Sequence, residues 1–394
     1  MIAGESAGSA RLVTPPFIGL AAAVFVYFVA AGMFIPATPR LAAGPLGGDA
    51  LAVGLVIGSF SLTSVVLRPL AGRWTDRRGR RLMLVAGSLI QVAAAAGHLA
   101  ADSLALLVIA RLALGAAEAV FFVGGLAAAT DLAPEARRGE AVSLISTALY
   151  LGVAVGPVFA EALFGLGGYA WVWVAAALIS VLAVGLSCLA PETLPPTARR
   201  ASTSTAPLLH RRGLIPGLLV LSGAWGMGAY LAFLPLIGDQ LGLDGVGGYL
   251  AVYALVVVSM RIVGARLPDR IGAVRLSGAA LLLCAAGMGV VGIAPTEGGL
   301  WLATVIYAAG IAFTFPAIIT LAVKGVPAAE RGAVVGTTSL FLDVAFGLSP
   351  ALLGLLATVV GYPPTFLVSA AVALVGAGYL AMRGGRLAPQ ALDA

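Results

Sequence analysis

Residues 68–81 read RPLAGRWTDRRGRR and lie between two apolar runs that are each long enough to cross a membrane as a helix. The stretch contains six arginines, one acid and two glycines. Burying a single charge in hydrocarbon costs at least ~2.5 kcal/mol, so this stretch predicts a tight turn at a membrane surface. Because basic residues are enriched on the cytoplasmic side of membrane proteins, we expect the turn to face the cytoplasm.

The pattern of this turn occurs a second time, further along the chain, at a constant distance of 193 residues (261 − 68). The matching pairs are Arg68 and Arg261, Asp76 and Asp269, Arg77 and Arg270, Gly79 and Gly272, Arg138-Gly139 and Arg331-Gly332, and Gly156-Pro157 and Ser349-Pro350. Several features that share one offset indicate a duplicated half. The chain is therefore predicted to be two copies of one helical bundle.

Composition supports an integral membrane protein. The chain is 60% hydrophobic and only 10% charged, whereas soluble domains carry roughly 25% charged residues. The net charge of +6 comes from arginines at predicted helix ends, so we interpret it as membrane topology and expect no nucleic-acid partner. Cys188 and Cys284 lie in apolar segments without metal-ligand spacing, and both are predicted to be inert core residues. The first fifteen residues carry no cleavage signal of the secretory type.

Twelve apolar segments are predicted to be membrane helices, six in each half. Their approximate ranges are 16–39, 50–67, 82–101, 104–130, the stretch from the cationic turn 131–141 to 163, the uncharged interval between 161 and 192, 214–237, 247–264, 276–294, 299–323, 333–359 and 364–382. Residues 1–190 form the N-terminal bundle, 191–213 a cytoplasmic linker and 214–394 the C-terminal bundle. The predicted fold is all-α, with two pseudo-symmetric six-helix bundles.

The predicted orientation places both termini in the cytoplasm. All but two of the 23 lysines and arginines then fall at cytoplasmic helix ends, the exceptions being Arg40 and Arg111.

The spacing of Gly72, Asp76, Arg77, Gly79 and Arg80 resembles the signature loop of the major facilitator superfamily of secondary transporters. The resemblance covers nearly the whole chain, and it implies a twelve-helix transporter that works by alternating access between the two sides of the membrane.

Two further motifs resemble those of proton-coupled members of that family. Arg111 and Gly115 resemble the RxxxG element of the fourth helix, and Gly152, Gly156 and Pro157 resemble the antiporter motif of the drug:proton exporters. That motif continues with glycines where this chain has Ala160 and Glu161. The departure weakens the assignment to antiport.

The loop and the glycine-proline motif are the predicted gating elements. A carboxylate at Asp76 could pair with Arg138 across the bundle and hold the cytoplasmic side closed, or the loop could serve topology alone. Gly152 and Gly156 offer a smooth face to a neighbouring helix, which is either a pivot or a simple packing kink. The predicted gating residues are Gly72, Asp76, Arg77, Gly79, Arg80, Arg138, Gly152, Gly156, Pro157, Asp269 and Arg270.

The charges predicted to lie within helices are the candidates for proton coupling. Arg111 and Glu118 project from one face about 10 Å apart along the axis, too far to pair directly. Glu118 is the first candidate proton carrier, and Arg111 would tune it or hold an anionic substrate group; a structural hydrogen-bonding acid is the alternative. Asp343 is the second candidate, and Glu161 is expected to be interfacial.

An aromatic, weakly charged wall is predicted for the substrate cavity as a set of residues, since each ring taken singly is more safely read as a packing residue. Its residues are Tyr27, Phe28, Trp225, Tyr230, Tyr253, Tyr307 and Phe313. Such a wall suits lipophilic or amphipathic molecules.

The sequence therefore predicts a proton-driven exporter of a small, partly hydrophobic compound, acting as a monomer in the inner (plasma) membrane. The alternatives are a proton symporter that imports an organic solute and a non-transporting sensor or scaffold. The expected partners are the substrate, protons and the lipid bilayer. No cofactor or metal is expected, and enzyme motifs such as GxSxG, a Walker loop or HExxH are absent from the sequence.

Overall fold

The computed structural model describes residues 12–134, 137–194, 209–264, 267–326 and 328–387, and within these ranges every regular element is helical. Most of the predicted linker, residues 195–208, lies outside the described residues. The helices are α1 (Pro15–Ala43), α2 (Ala50–Arg78), α3 (Arg80–Leu99), α4 (Leu104–Leu132), α5 (Arg138–Leu189), α6 (Arg211–Gln240), α7 (Gly247–Val263), α8 (Leu267–Ile271), α9 (Ala273–Ile293), α10 (Glu297–Val323), α11 (Ala328–Val360) and α12 (Tyr362–Leu387).

Ten of these helices are long and apolar enough to cross a membrane, counted over the described ranges. The longest, α5, has 52 residues and contains non-helical backbone at Gly167 and Gly168. Gly168 has a φ of 67°, a left-handed conformation that glycine adopts without steric cost. The chain turns there, so α5 consists of two consecutive helical segments, which correspond to the fifth and sixth predicted segments. Helix α7, with 17 residues, is shorter than the ten.

Both copies of the repeated turn are built around a glycine. Gly79 has a φ of 111° between α2 and α3, and Gly272 has a φ of 84° between α8 and α9. A side chain is strained in this region of backbone space, which explains why glycine is used at both positions. The repeated sequence pattern thus corresponds to a repeated local conformation. We call the side of the molecule that carries these turns the arginine side.

The predicted end of the second helix was wrong by eleven residues (78 − 67), because α2 continues through the charged stretch to Arg78. A helical backbone satisfies its own hydrogen bonds whatever its side chains are, and arginine can extend a long apolar stem towards the surface. As a result Arg68 lies within a membrane-crossing helix and not in the turn.

Helices α2 and α11 pack against each other through small residues, and we call this contact the α2–α11 seam. A Cβ atom on Gly54 would overlap the carbonyl oxygen of Pro350, and one on Gly58 would overlap the carbonyl oxygen of Gly347. Small residues at such positions let two helix backbones approach closely within a membrane. The seam joins the first and second halves of the sequence.

Helix α5 packs on α1 through the predicted glycine motif. A Cβ atom on Gly152 would lie 2.6 Å from the carbonyl oxygen of Phe25, and one on Gly156 would lie 2.7 Å from the Cα atom of Gly32. Pro157 also borders Gly32. The motif therefore forms the face on which α1 rests.

Large apolar side chains cover the outside of the bundle, as expected for a surface in contact with lipid. Leu189, Val263 and Val359 are each more than 80% exposed. Cys188 is also exposed, near the end of α5, so its predicted place in the core was wrong. Cys284 is buried, as predicted.

Candidate functional site

Arg68 connects three helices by contacting two carboxylates. Its Nη1 atom lies 2.6 Å from Oδ2 of Asp343 on α11, and its Nη2 atom lies 3.2 Å from Oε1 of Glu118 on α4. Each carboxylate is thus paired with a different nitrogen of one planar guanidinium group. We call these three residues the Arg68 cluster.

The surroundings of the Arg68 cluster support its geometry and limit its exposure to solvent. Ser64, one helical turn before Arg68, donates a hydrogen bond of 2.7 Å to Oε2 of Glu118. The ring of Phe122 lies 5.5 Å from the guanidinium carbon of Arg68, within range of a cation–π contact. The side chains of Glu118 and Asp343 are only 13% and 10% exposed, whereas that of Arg68 is 29% exposed.

One arginine between two ionised carboxylates leaves the cluster with a net charge of −1. Excess charge is costly inside a membrane protein. Ionisable residues within a span therefore generally face a water-filled interior or a charged partner. Addition of one proton to either acid makes the cluster neutral. The arrangement can therefore exchange a proton for a change in its ion pairing.

The structure brings together both predicted proton carriers, although they lie 225 residues apart in sequence (343 − 118). It adds Arg68, which sequence reasoning assigned to the turn. One signal in the sequence pointed to Arg68. Ser64 and Arg68 are four residues apart and therefore share a helical face, which places Arg68 on the polar face of the second helix.

Arg111 lies elsewhere. It is buried and donates hydrogen bonds of 3.3 Å to the carbonyl oxygens of Val56 and Ile57, with its guanidinium group 5.0 Å from the ring of Phe60. Gly115 packs directly on the carbonyl group of Phe60. In the described ranges the polar partners of Arg111 are thus backbone carbonyls of α2, and the RxxxG element holds α4 against α2.

The sequence repeat gives the Arg68–Asp343 pair a counterpart. Arg261, the repeat of Arg68, lies 4.6 Å above the ring of Tyr150 and donates to the carbonyl oxygen of Ala312. Tyr150 and Asp343 are themselves 193 residues apart (343 − 150). Equivalent positions of the two copies therefore meet twice, once as an ion pair and once as a cation–π contact.

The predicted cavity residues fall into two groups. Tyr27 stacks on Phe121 at 3.8 Å between ring centroids, with Phe28 edge-on. The rings of Tyr230, Tyr253 and Tyr307 lie 5.8 to 6.2 Å from one another.

The polar groups of the second group of rings are hydrogen-bonded to neighbouring protein groups. The hydroxyls of Tyr230, Tyr253 and Tyr307 are hydrogen-bonded to Thr304, the sulfur of Met227 and the carbonyl of Gly223. Trp225 is half-buried, and Phe313 packs beside Gly264. Tyr27 and Phe28 belong to one buried apolar cluster, and the other five rings belong to or pack against a second one.

The ion pairs of the predicted gating residues Asp76 and Arg80 lie within the first half of the chain. Arg80 lies 3.5 Å from Asp76 and 2.9 Å from Asp131, so the ion pair seen for Asp76 is with Arg80. Arg77, Arg138 and Arg270 are exposed, and a Cβ atom on Gly72 would meet nothing within 4 Å. The side chain of Asp269 lies outside the described residues.

Among the described residues, no group of three or more His, Cys, Asp or Glu side chains is arranged to hold a metal ion.

Comparison with known proteins identifies the class of fold. The family model described as Major Facilitator Superfamily matches residues 20–350. An uncharacterised MFS-type transporter of Salmonella typhimurium, STM4428, is 29% identical over 371 residues, which cover 91% of this chain and 94% of the relative. The MFS-type transporter YhhS of Escherichia coli is 26% identical over 362 residues, covering 89% and 88% of the two chains.

Solved structures agree with this fold at low sequence identity. A bacterial homologue of the human lysosomal transporter Spinster, in an inward-facing and unoccupied conformation, has a TM-score of 0.78 at 15% identity, covering 96% of this chain and 98% of its own. The nucleoside transporter NupG has a TM-score of 0.76 at 14% identity, covering 94% and 99%.

Proposed function

The chain belongs to the Major Facilitator Superfamily, and on that premise we propose that it is a proton-coupled secondary transporter that exports a small lipophilic or amphipathic compound by alternating access. It acts as a monomer in the bacterial inner membrane. The twelve spans of the proposal are the two segments of α5, the shorter α7 and the nine other long helices. They form bundles at 1–190 and 214–394, joined by the linker 191–213, with both termini and the arginine side in the cytoplasm.

The observation that carries this proposal is the shared arginine of the Arg68 cluster. Arg68 and Glu118 belong to the first half of the sequence and Asp343 to the second, so one of the two ion pairs crosses between the halves. When a proton neutralises Asp343, this cross-half pair loses its charge attraction while Arg68 keeps Glu118. Proton binding is then linked to separation of α2 from α11, which is the link that coupled transport needs.

The aromatic side chains of the predicted cavity wall favour a partly hydrophobic substrate. The described side chains around the aromatic groups carry few fixed charges, which suits a partly hydrophobic molecule better than a sugar. The nucleoside and Spinster transporters share the fold with this chain at 14% and 15% identity, which is too low to transfer a substrate. A nucleoside is nevertheless a useful polar comparison in the assay.

The test is transport in proteoliposomes under an imposed pH gradient. The probes are ethidium, as a lipophilic cation, and uridine, as a polar nucleoside. We expect gradient-driven movement of ethidium against its concentration gradient for the wild-type protein. Glu118→Gln and Asp343→Asn should reduce this accumulation while keeping exchange at equal pH.

The matched control is Glu140→Gln, which removes an exposed acid. The ion pair of Glu140 is local, with Arg137 three residues earlier in the chain. This variant should behave as the wild-type protein does. If both Glu118→Gln and Asp343→Asn retain gradient-driven transport, the proton assignment is wrong. Movement of uridine in the direction of proton flow would instead identify an importer.

A further inference from the structure

Three charged residues meet on the side of the molecule opposite the arginine side. Arg40 near the end of α1 lies 2.7 Å from Oε1 of Glu161 on α5 and 2.9 Å from Oδ1 of Asp239 at the end of α6. Its Nε atom also donates to both oxygens of Asp239 at 3.0 Å. We call Arg40, Glu161 and Asp239 the clasp.

The clasp joins the two halves of the sequence in two ways. One is the ion pair of Arg40 with Asp239, and the other is a hydrogen bond at the start of α7. Glu161 accepts a hydrogen bond of 3.0 Å from the backbone N–H of Val246, immediately before α7 begins. A carboxylate is favoured there because the start of a helix carries partial positive charge. A Cβ atom on Gly247 would lie 2.9 Å from Cγ of Glu161 and 3.0 Å from the carbonyl oxygen of Pro157, so only glycine lets the two segments come this close.

The position of the clasp follows from the direction of the helices. Helix α5 begins at Arg138 on the arginine side, and Glu161 lies 23 residues along it (161 − 138), or about 35 Å at 1.5 Å per residue. Arg40 and Asp239 are within three residues of the ends of α1 and α6 that face the same way. A cavity of about 470 Å³ lies against the clasp and is also bordered by Phe164 and Tyr169.

We infer that the clasp is the gate that keeps this side of the transporter closed, and that it must part before the substrate path can open there. The side chains of Arg40 and Glu161 are only 9% and 15% exposed, so their pair is not weakened by solvent as a surface pair is. Asp239 is 47% exposed and can be rehydrated when it leaves Arg40. The contact that separates is therefore the one that crosses between the halves.

The clasp gives a role to the residue at which this chain departs from the antiporter motif. Where that motif continues with glycine, this chain has Glu161, predicted from sequence to be interfacial. In the structure it is a mostly buried acid that holds Arg40 and the start of α7. The inference rests on the alternating-access cycle proposed above and is independent of proton coupling.

The experiment measures distances between spin labels in purified protein reconstituted in lipid nanodiscs, without substrate or pH gradient. In a Cys188→Ser background, labels are attached at Pro45→Cys and Gln240→Cys, two exposed positions just after α1 and at the end of α6, one in each half of the sequence. The wild-type chain should give mainly the short distance. Arg40→Gln, Glu161→Gln and Asp239→Asn should each raise the long-distance fraction at least threefold.

The control is again Glu140→Gln, which should leave the distance distribution unchanged. Asp239→Asn changes only a half-exposed side chain, so it remains a valid test if the two more buried substitutions reduce folding. An unchanged distribution in the clasp variants that fold would overturn the gate. Because no proton gradient is present, this result does not depend on whether the proposed proton coupling is correct.

Discussion

Replacing Arg68 by lysine tests whether the cluster needs a forked group or only a positive charge. Arg68 serves Asp343 with Nη1 and Glu118 with Nη2, and these carboxylates lie on different helices. Lysine has one nitrogen on a flexible stem and cannot hold both acids in this geometry. The Arg68→Lys variant therefore keeps the charge and loses one of the two ion pairs.

The magnitude follows from the contact that is lost. A hydrogen bond to a charged group contributes about 1.5–3 kcal/mol. Because the side chain of Arg68 is 29% exposed, we use the lower end of that range. About 1.4 kcal/mol corresponds to a tenfold change in an equilibrium constant, so the equilibrium constant for closing the seam should fall roughly tenfold.

The assay compares Arg68→Lys with Arg68→Gln and with Arg78→Lys, an exposed arginine in the same helix. Gradient-driven ethidium transport should fall by up to about tenfold in Arg68→Lys, in line with the change in that equilibrium constant, and at least as far in Arg68→Gln. Arg78→Lys should match the wild-type rate. A wild-type rate in Arg68→Lys together with an inactive Arg68→Gln would refute the argument, since charge alone would then be sufficient.

Three further predictions concern packing and the turn. Gly156→Ala should destabilise the protein by about 1–3 kcal/mol in thermal unfolding because its Cβ atom overlaps α1, whereas Gly165→Ala, with nothing within 4 Å of the new atom, should be neutral or slightly stabilising. Tyr150→Leu should lose about 0.5–2 kcal/mol of the cation–π contact with Arg261, while Tyr150→Phe should lose little in the same measurement. Asp76→Asn should insert normally into membranes but transport slowly; a wild-type transport rate would contradict its gating role.

The fold could be predicted because its causes are local in sequence. Each charged stretch had to lie outside hydrocarbon, and the repeated offset of Arg68 and Arg261 divided the chain into two equivalent parts. The end of α2 was harder to place because charge was taken as the end of the helix. Arginine side chains can extend to the surface from within a span, so the first charge of a turn does not mark where its helix stops.

The candidate site could be predicted only in part because it depends on contacts between distant residues. Glu118 and Asp343 were identifiable since ionisable groups inside a span are rare. Nothing in the sequence paired them with Arg68, and Arg40 and Asp239 are 199 residues apart. Such pairings depend on how the halves pack.

The Arg68 cluster and the clasp differ in how exposed the aspartate is that loses its arginine partner when the halves separate. In each, one arginine holds an acid of its own half and an aspartate of the other: Arg68 keeps Glu118, and Arg40 keeps Glu161. The aspartates released are Asp343 and Asp239, whose side chains are 10% and 47% exposed. Water can stabilise the second as an anion, whereas the first is left charged in a buried position unless it takes up a proton.

This asymmetry ranks the two candidate proton carriers. Glu118 keeps Arg68 throughout the proposed cycle, so its charge stays compensated without a proton. Asp343 alternates between an arginine partner and none, which makes it the acid whose protonation is tied to the conformational change. Asp343→Asn should therefore abolish gradient-driven accumulation, whereas Glu118→Gln should weaken it and leave part of the coupling intact. The opposite order of effects in the proteoliposome assay would assign the proton to Glu118.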